Sequence, residues 1–334
     1  MKRIEIQSYG DPESVADCVD RPDVGAPAAG EVVFDVLAFP INPADISFCR
    51  GRYRLKPALP ATPGAECVGR VAAVGAAVKG VRPGDLVINL ERENWAQRRR
   101  VAADRVIVLP TGIDVAQAAM IRINPPTAAL LLRDIVELRS GDWIIQNVAN
   151  SAVGKLVIAF AKARGLRTVN VVRREDVCEE LLALGADVCV LDGPALEKRV
   201  REKTGEAPIR LAIDAVAGEA TARLASCVQD GGTVCTYGSM SGENVIVPSP
   251  DLVFRGINFT GFMLGRFLER RQPDQIAALY AELAAKVRAG ILNVAIERIY
   301  AIEDIKEALA HAQRGARGGK ILVAPNGSDF LHEA

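Results

Sequence analysis

The chain has 334 residues, enough for two domains with separate cores. Its 41 basic and 41 acidic residues cancel, so no global field draws it to nucleic acid or to an anionic membrane. The seven cysteines, Cys18, Cys49, Cys67, Cys178, Cys189, Cys227 and Cys235, are odd in number and form no C-x-x-C pair, which argues against a disulfide framework or a cysteine zinc cluster and for a reducing, cytoplasmic setting. The opening run MKRIEIQSYG lacks the apolar core of a signal peptide, and no apolar stretch has bilayer-spanning length, so a soluble protein is expected.

From residue 1 to about 110, short β runs are broken by Gly and Pro. Residues 31–38 and 67–74 read as strands, 79–85 (KGVRPGD) as a turn, and 86–89 and 105–109 as further strands of a compact, largely β unit. Between them lies a long proline-containing loop, 42–64, with Tyr53 near its middle. From about residue 114 the texture changes to alternating helices and strands. Helices are expected at 115–120 and 127–137, followed by a βαβ unit over 143–174. Then come a helix (176–184), a strand (187–191), a helix (194–203), a strand (210–215), a helix (218–228) and strands at 233–237 and 258–262. This is the order of a doubly wound parallel sheet. An amphipathic helix, 273–289, leads out, a strand–helix–strand tail over 296–323 is expected to return to the first domain, and the residues from about Asn326 read as a loose end.

The βαβ unit carries the chemistry. Trp143, Ile144 and Ile145 form a buried-strand run, residues 147–154 are small or polar apart from Val148 and Val153, and Leu156, Val157, Phe160 and Ala161 recur at helical spacing up to Gly165. A helix leaving such a loop points unpaired N–H groups and a positive dipole end at a phosphate. The dinucleotide fingerprint G-x-G-x-x-G is only partly kept, with Ala149, Ala152 and Gly154 in its places, so an ordinary βα turn of another parallel-sheet protein stays open at this point. About 20 residues on, where an acidic residue would bind a ribose 2′-hydroxyl, stand Arg173 and Arg174, which suit a 2′-phosphate. Asp176 reads as the N-cap of the next helix rather than a ribose ligand. NADPH is therefore expected over NADH by about 10- to 150-fold, the worth of one charge-assisted contact.

Several motifs in register resemble the medium-chain dehydrogenase/reductases, in their zinc-free branch of quinone oxidoreductases and 2-enoyl thioester reductases. They are Ile41-Asn42-Pro43-Ala44-Asp45, Leu59-Pro60-Ala61-Thr62-Pro63-Gly64 with Glu66, Pro83-Gly84-Asp85 and Asn124-Pro125-Pro126-Thr127-Ala128. The run Gln146 to Gly154, continued by Leu166 to Arg173, looks most like the mitochondrial trans-2-enoyl-CoA/ACP reductases. The resemblance implies an α/β chain with a GroES-like, mostly β catalytic domain (1–119 and 268–334) and a Rossmann NADPH-binding domain (120–267), assembled as a homodimer. It implies cofactor contacts at Asn124, Asn150, Ser151, Ala152, Val153, Arg173, Arg174, Tyr237, Gly238, Met240, Phe262, Leu264 and, near the C-terminus, Lys320. It also places Trp95 at an aromatic near the active site, with a core role as the alternative. Pro126 and the segment Ile121-Arg122-Ile123 depart from the commoner family pattern.

Zinc alcohol dehydrogenases of the superfamily have Gly-His-Glu where this chain has Gly64-Ala65-Glu66. The two histidines, His311 and His332, lie far downstream, so three protein ligands for a catalytic zinc are not at hand and no metal is expected. The resemblance implies Tyr53 as proton donor in its place. Reducing a 2-enoyl thioester delivers hydride to the β-carbon and needs a proton at the α-carbon, which a phenol can supply. An NADPH:quinone or enone reductase, and a catalytically silent NADPH-binding protein, are the alternatives. Arg52, Arg54 and Lys56 around Tyr53 suit the phosphates of CoA, an acyl-carrier protein or a substrate carboxylate, or are solvated loop surface. Arg98-Arg99-Arg100 has no family explanation.

Overall fold

The computed structural model describes residues 1–315 and 317–329. The chain divides into two compact units, Met1–Ile123 with Pro273–Ala334, and Asn124–Gln272. The first begins with β1 (Lys2–Ile6), α1 (Pro12–Val15) and β2 (Ala16–Asp20), and β1 and β2 pair antiparallel. Its central strand is β3 (Glu31–Pro40), rich in Val and Phe and buried along most of its length. Next follow α2 (Pro43–Cys49), β4 (Val68–Val74), β5 (Leu86–Asn89), β6 (Arg98–Ala102), β7 (Val106–Val108) and α3 (Val115–Ala118).

Two local expectations change here. The stretch 42–64 is not all loop, because Asn42-Pro43-Ala44-Asp45 is a helix start: Pro43 takes the first helical position and Asp45 Oδ2 accepts a 3.0 Å bond from the Asn42 N–H. The arginine triplet is a strand, β6, paired antiparallel with β3. Its cations meet carboxylates: Arg98 donates to Asp35 (2.6 Å) and Asp23 (2.9 Å), while Arg99 lies 3.4 Å from Glu93 and Arg100 3.4 Å from Glu31. That pairing accounts for a cluster the sequence left unassigned.

The second unit runs α4 (Asn124–Asp134), β8 (Trp143–Gln146), α5 (Ala152–Ala163), β9 (Arg167–Val172), α6 (Cys178–Leu184), β10 (Val188–Leu191), α7 (Leu196–Thr204), β11 (Ile209–Asp214), α8 (Glu219–Cys227), β12 (Thr233–Thr236), α9 (Ser249–Val253), β13 (Asn258–Gly261) and α10 (Leu264–Glu269). The strands form one parallel sheet in the order β10-β9-β8-β11-β12-β13. In chain order this is 3-2-1-4-5-6, with the strand order reversing at β8. Asp176 does not cap α6. It lies in a 3₁₀ turn, Glu175–Val177, and pairs with Arg174 at 3.4 Å. A disulfide, Cys178–Cys189, ties α6 to β10 across a Cα separation of 5.6 Å, against the expectation of none. Pairing Cys189 with Asn170 of β9 sets β10 under the first turn of α6, a juxtaposition the spacing of cysteines does not reveal.

The chain then returns to the first unit through α11 (Pro273–Arg288), β14 (Ile296–Ala301), α12 (Ile305–Gln313) and β15 (Lys320–Ala324). As expected, the tail rejoins the opening residues: β15 pairs parallel with β14 and antiparallel with β3, through Leu322 to Pro40 and Val323 to Phe39. Trp95 is fully buried and stacks on Phe39 at 5.6 Å, so it is a core residue. Asn326 is not loose, since its amide donates to the carbonyls of Val36 (3.0 Å) and Gln97 (2.7 Å). Residues 330–334, including His332, lie outside the described residues. Among the described residues no helix is long and apolar enough to cross a membrane.

Candidate active site

In the second unit, the expected cofactor residues gather at the carboxyl ends of the parallel strands, where open α/β sheets bind ligands. Asn150, Ser151, Ala152 and Val153 follow β8, Arg173 and Arg174 follow β9, Tyr237, Gly238 and Met240 follow β12, and Phe262 and Leu264 follow β13. The ends of β8, β11 and β12 are held from below by Asp214, the fully buried last residue of β11. Its Oδ1 accepts from Asn147 Nδ2 (2.6 Å) and from the N–H groups of Val216 (2.9 Å) and Ala217 (3.2 Å). Its Oδ2 accepts from Thr221 (2.7 Å) and Thr236 (3.1 Å), and Asn147 Oδ1 in turn holds the Ala215 N–H at 2.8 Å. One carboxylate thus ties the ends of β8, β11 and β12 together. Asp214 and Asn147 were not among the expected site residues, because their pairing spans 67 positions and neither has a local signature.

The loop itself is strained and tightly packed. Val148 has φ 49°, a left-handed conformation that a β-branched residue adopts only under constraint. Ser151 caps α5, its Oγ accepting the Gly154 N–H at 3.1 Å. A Cβ on Gly154 would lie 2.4 Å from the Ala149 carbonyl oxygen, so the glycine of the fingerprint that this chain keeps is the one needed for close packing against the loop. Arg173 is exposed and has no ion pair among the described residues, unlike Arg174. Asn124 opens α4 with its side-chain nitrogen buried and without a hydrogen-bond partner. Burial raises the largely buried Tyr237 phenol above its ordinary value, with a hydrogen bond to Ser151 opposing. The start of α5 after β8 and an exposed cation after β9, both at carboxyl ends of the parallel sheet, fit a phosphate-bearing dinucleotide.

In the first unit, Tyr53 sits in the turn after α2, half-buried, with its N–H on the Ser47 carbonyl at 3.1 Å. The Arg92 guanidinium lies 4.9 Å over its ring. Beside it runs a buried polar chain. Lys320 donates to Asn42 Oδ1, Asn42 Nδ2 donates to Glu66 Oε1 at 2.7 Å, and Glu66 Oε2 accepts the Ile123 N–H at 2.9 Å. Lys320 therefore spends its ammonium on Asn42 and, at 3.4 Å, on the Ile41 carbonyl. Arg122, odd for the family pattern, donates to the carbonyls of Ala65 and Leu90. Burial pushes the Glu66 carboxyl up to about 7 against the opposing pull of Lys320, and burial lowers Lys320.

The first unit contains a match to the alcohol dehydrogenase GroES-like domain over residues 28–113, and residues 152–286 match the zinc-binding dehydrogenase domain. The mitochondrial enoyl-[acyl-carrier-protein] reductase of Dictyostelium discoideum is 32% identical over 330 residues, 96% of this chain and 94% of that protein. The chain belongs to the medium-chain dehydrogenase/reductase superfamily. The human mitochondrial enoyl-[acyl-carrier-protein] reductase is 34% identical, over 94% of this chain and 86% of its own length. Among solved structures, Escherichia coli quinone oxidoreductase complexed with NADPH superposes with a TM-score of 0.88 at 25% identity, covering 97% of this chain and 100% of that one. The Candida tropicalis mitochondrial 2-enoyl thioester reductase heterodimer gives 0.85 at 25% identity, covering 97% and 99%.

Within the superfamily this chain is a zinc-free oxidoreductase. Ala65 stands at the position of the histidine ligand, and no three His, Cys, Asp or Glu side chains gather among the described residues. His311 is instead fixed between the Tyr300 hydroxyl (2.9 Å) and Glu297 (2.8 Å). Next to Ala65, Glu66 is held in its hydrogen-bonded chain. A carboxyl that titrates near 7 when folded and near 4.5 when unfolded binds its proton more tightly in the folded state, so its contribution to stability is complete below about pH 4.5 and is lost as pH rises through about 7. Glu66→Gln removes that loss. Urea denaturation at about pH 5 and about pH 8 should show the variant gaining on the wild type by about 2–3 kcal/mol between the two. An equal difference at both pH values refutes the assignment.

Proposed function

We propose that this chain is an NADPH-dependent reductase of the activated C=C bond of 2-enoyl thioesters, carried on CoA or on an acyl-carrier protein. The observation that carries the reading is Tyr53, whose hydroxyl has no hydrogen bond among the described residues while its ring is held under Arg92. NADPH, when bound, supplies the hydride that reaches the β-carbon. Tyr53 gives its proton to the α-carbon as the enolate collapses, and the phenolate is reprotonated from water. Arg52, Arg54 and Lys56 are exposed and have no ion pair among the described residues, so they are available to the phosphates of CoA or to an acidic carrier domain. The relatives named as enoyl-[acyl-carrier-protein] reductases support this reading. The fold match to a quinone oxidoreductase complexed with NADPH supports the second one, an NADPH:quinone reductase. Purified protein with NADPH should reduce crotonyl-CoA, and Tyr53→Phe should lower that rate by about 10²-fold or more. Turnover of a quinone alone, or full activity of the variant, would overturn it.

Arg173 is proposed to meet the 2′-phosphate, since Arg174 is already engaged with Asp176. Fluorescence titration of Arg173→Ala should show NADPH affinity falling by about 10-fold or more with NADH affinity little changed, and Arg174→Ala should do less. An unchanged NADPH/NADH ratio in Arg173→Ala refutes this.

A homodimer is proposed through the β13 side of the second unit. Among the described residues strand β13 pairs only with β12, and the neighbouring Leu252, Val253 and Phe254 are exposed, Phe254 by 83%. Light scattering should find a dimer for the wild type and a monomer for Phe254→Asp. A monomeric wild type sinks the idea.

A further inference from the structure

Arg92 belongs to the segment between β5 and β6, flanked by Glu91 and Glu93, and no feature of the sequence assigns it a role. In the fold it stacks on Tyr53. Its guanidinium lies 4.9 Å over the Tyr53 ring and 5.6 Å over that of Phe48, and its Nη2 is 3.7 Å from Asp45 Oδ1. That nitrogen is buried and has no hydrogen bond. Asp45 is itself immobilised: Oδ1 accepts the Ala65 N–H at 2.9 Å and Oδ2 the Asn42 N–H at 3.0 Å. Burial raises the Asp45 carboxyl, and Arg92 is the strongest influence opposing it. A helix cap thus fixes a carboxylate, the carboxylate fixes a guanidinium, and the guanidinium lies on the tyrosine.

An apolar side chain would fill this space without desolvating a cation, so packing alone does not call for arginine. A fixed cation on a phenol acts where charge develops. Resting on the enoyl-reductase reading, we propose that Arg92 is a positioning residue for Tyr53: it orients the ring and favours the phenolate left when the proton leaves. In that step the Tyr53 O–H bond breaks, a C–H bond forms at the α-carbon from the enolate's electron pair, and the negative charge passes from the enolate to the phenol whose ring lies under Arg92. Water then returns the proton. Acting through Tyr53, Arg92 should show its effect in kcat rather than in substrate or cofactor binding.

The test uses the whole enzyme with NADPH and crotonyl-CoA. Arg92→Met should lower kcat by about 10- to 100-fold with KM and the NADPH dissociation constant nearly unchanged, and Arg92→Lys should recover part of the loss. In a Tyr53→Phe background the same Arg92→Met change should add little, because the group it acts through is gone. A full additional loss there, or an effect confined to KM or NADPH affinity, overturns the proposal. A second measurement does not need turnover. With 3-fluorotyrosine incorporated and the Tyr53 resonance assigned through Tyr53→Phe, Arg92→Met should move that ¹⁹F line toward the free amino acid and Arg92→Lys should move it less. An unmoved line overturns the stacking, whereas a wild type that fails to reduce crotonyl-CoA overturns only the reading of the reaction.

Discussion

A carboxylate withdrawn from water must be matched by donors or cations, and that constraint shapes both halves of this molecule. In the parallel-sheet unit the carboxylate is Asp214, which collects donors from β8, the turn after β11, α8 and β12. In the β unit the carboxylates are Glu66 and Asp45, both buried, matched through Asn42, Lys320, Arg92 and backbone N–H groups. Removing one partner would leave a buried charge alone, so each network holds its region in a single arrangement.

The two networks serve different ends. Asp214 fixes backbone at the carboxyl ends of β8, β11 and β12, from which the loop and the start of α5 leave. The Asp45 branch fixes side chains, ending at Tyr53. The Glu66 branch is closed by hydrogen bonds between residues of one unit. Ala65 takes part through its backbone, its N–H donating to Asp45 and its carbonyl accepting from Arg122.

Local pattern made much of this legible. The βαβ unit over 143–174 was evident from an apolar run, a small-residue loop and helical spacing, and the structure has β8, α5 and β9 there. The return of the tail to the first domain was also evident, because a strand–helix–strand after a long helix needs a sheet to join. The capping sequence Asn42-Pro43-Ala44-Asp45 carried a helix signal that the prolines around it obscured. The arginine triplet looked like a surface cluster because its carboxylate partners, Asp35, Asp23, Glu93 and Glu31, approach only after β3 and β6 pair. Disulfide Cys178–Cys189 was hidden for the same reason, since it depends on which strand lies beside β9.

The sequence by itself determined the element order, the parallel sheet and its phosphate loop, the pair of arginines after β9, and the lack of a histidine ligand at Ala65. Each follows from side-chain type and spacing along the chain, which are local properties. Only the tertiary structure decided which arginine stays free, that Lys320 is spent on Asn42, that Trp95 is core, and that Arg92 lies over Tyr53. Apart from the local pair Arg174–Asp176, those outcomes depend on contacts between residues dozens to hundreds of positions apart, and burial, charge pairing and ring stacking have no period in the sequence to announce them.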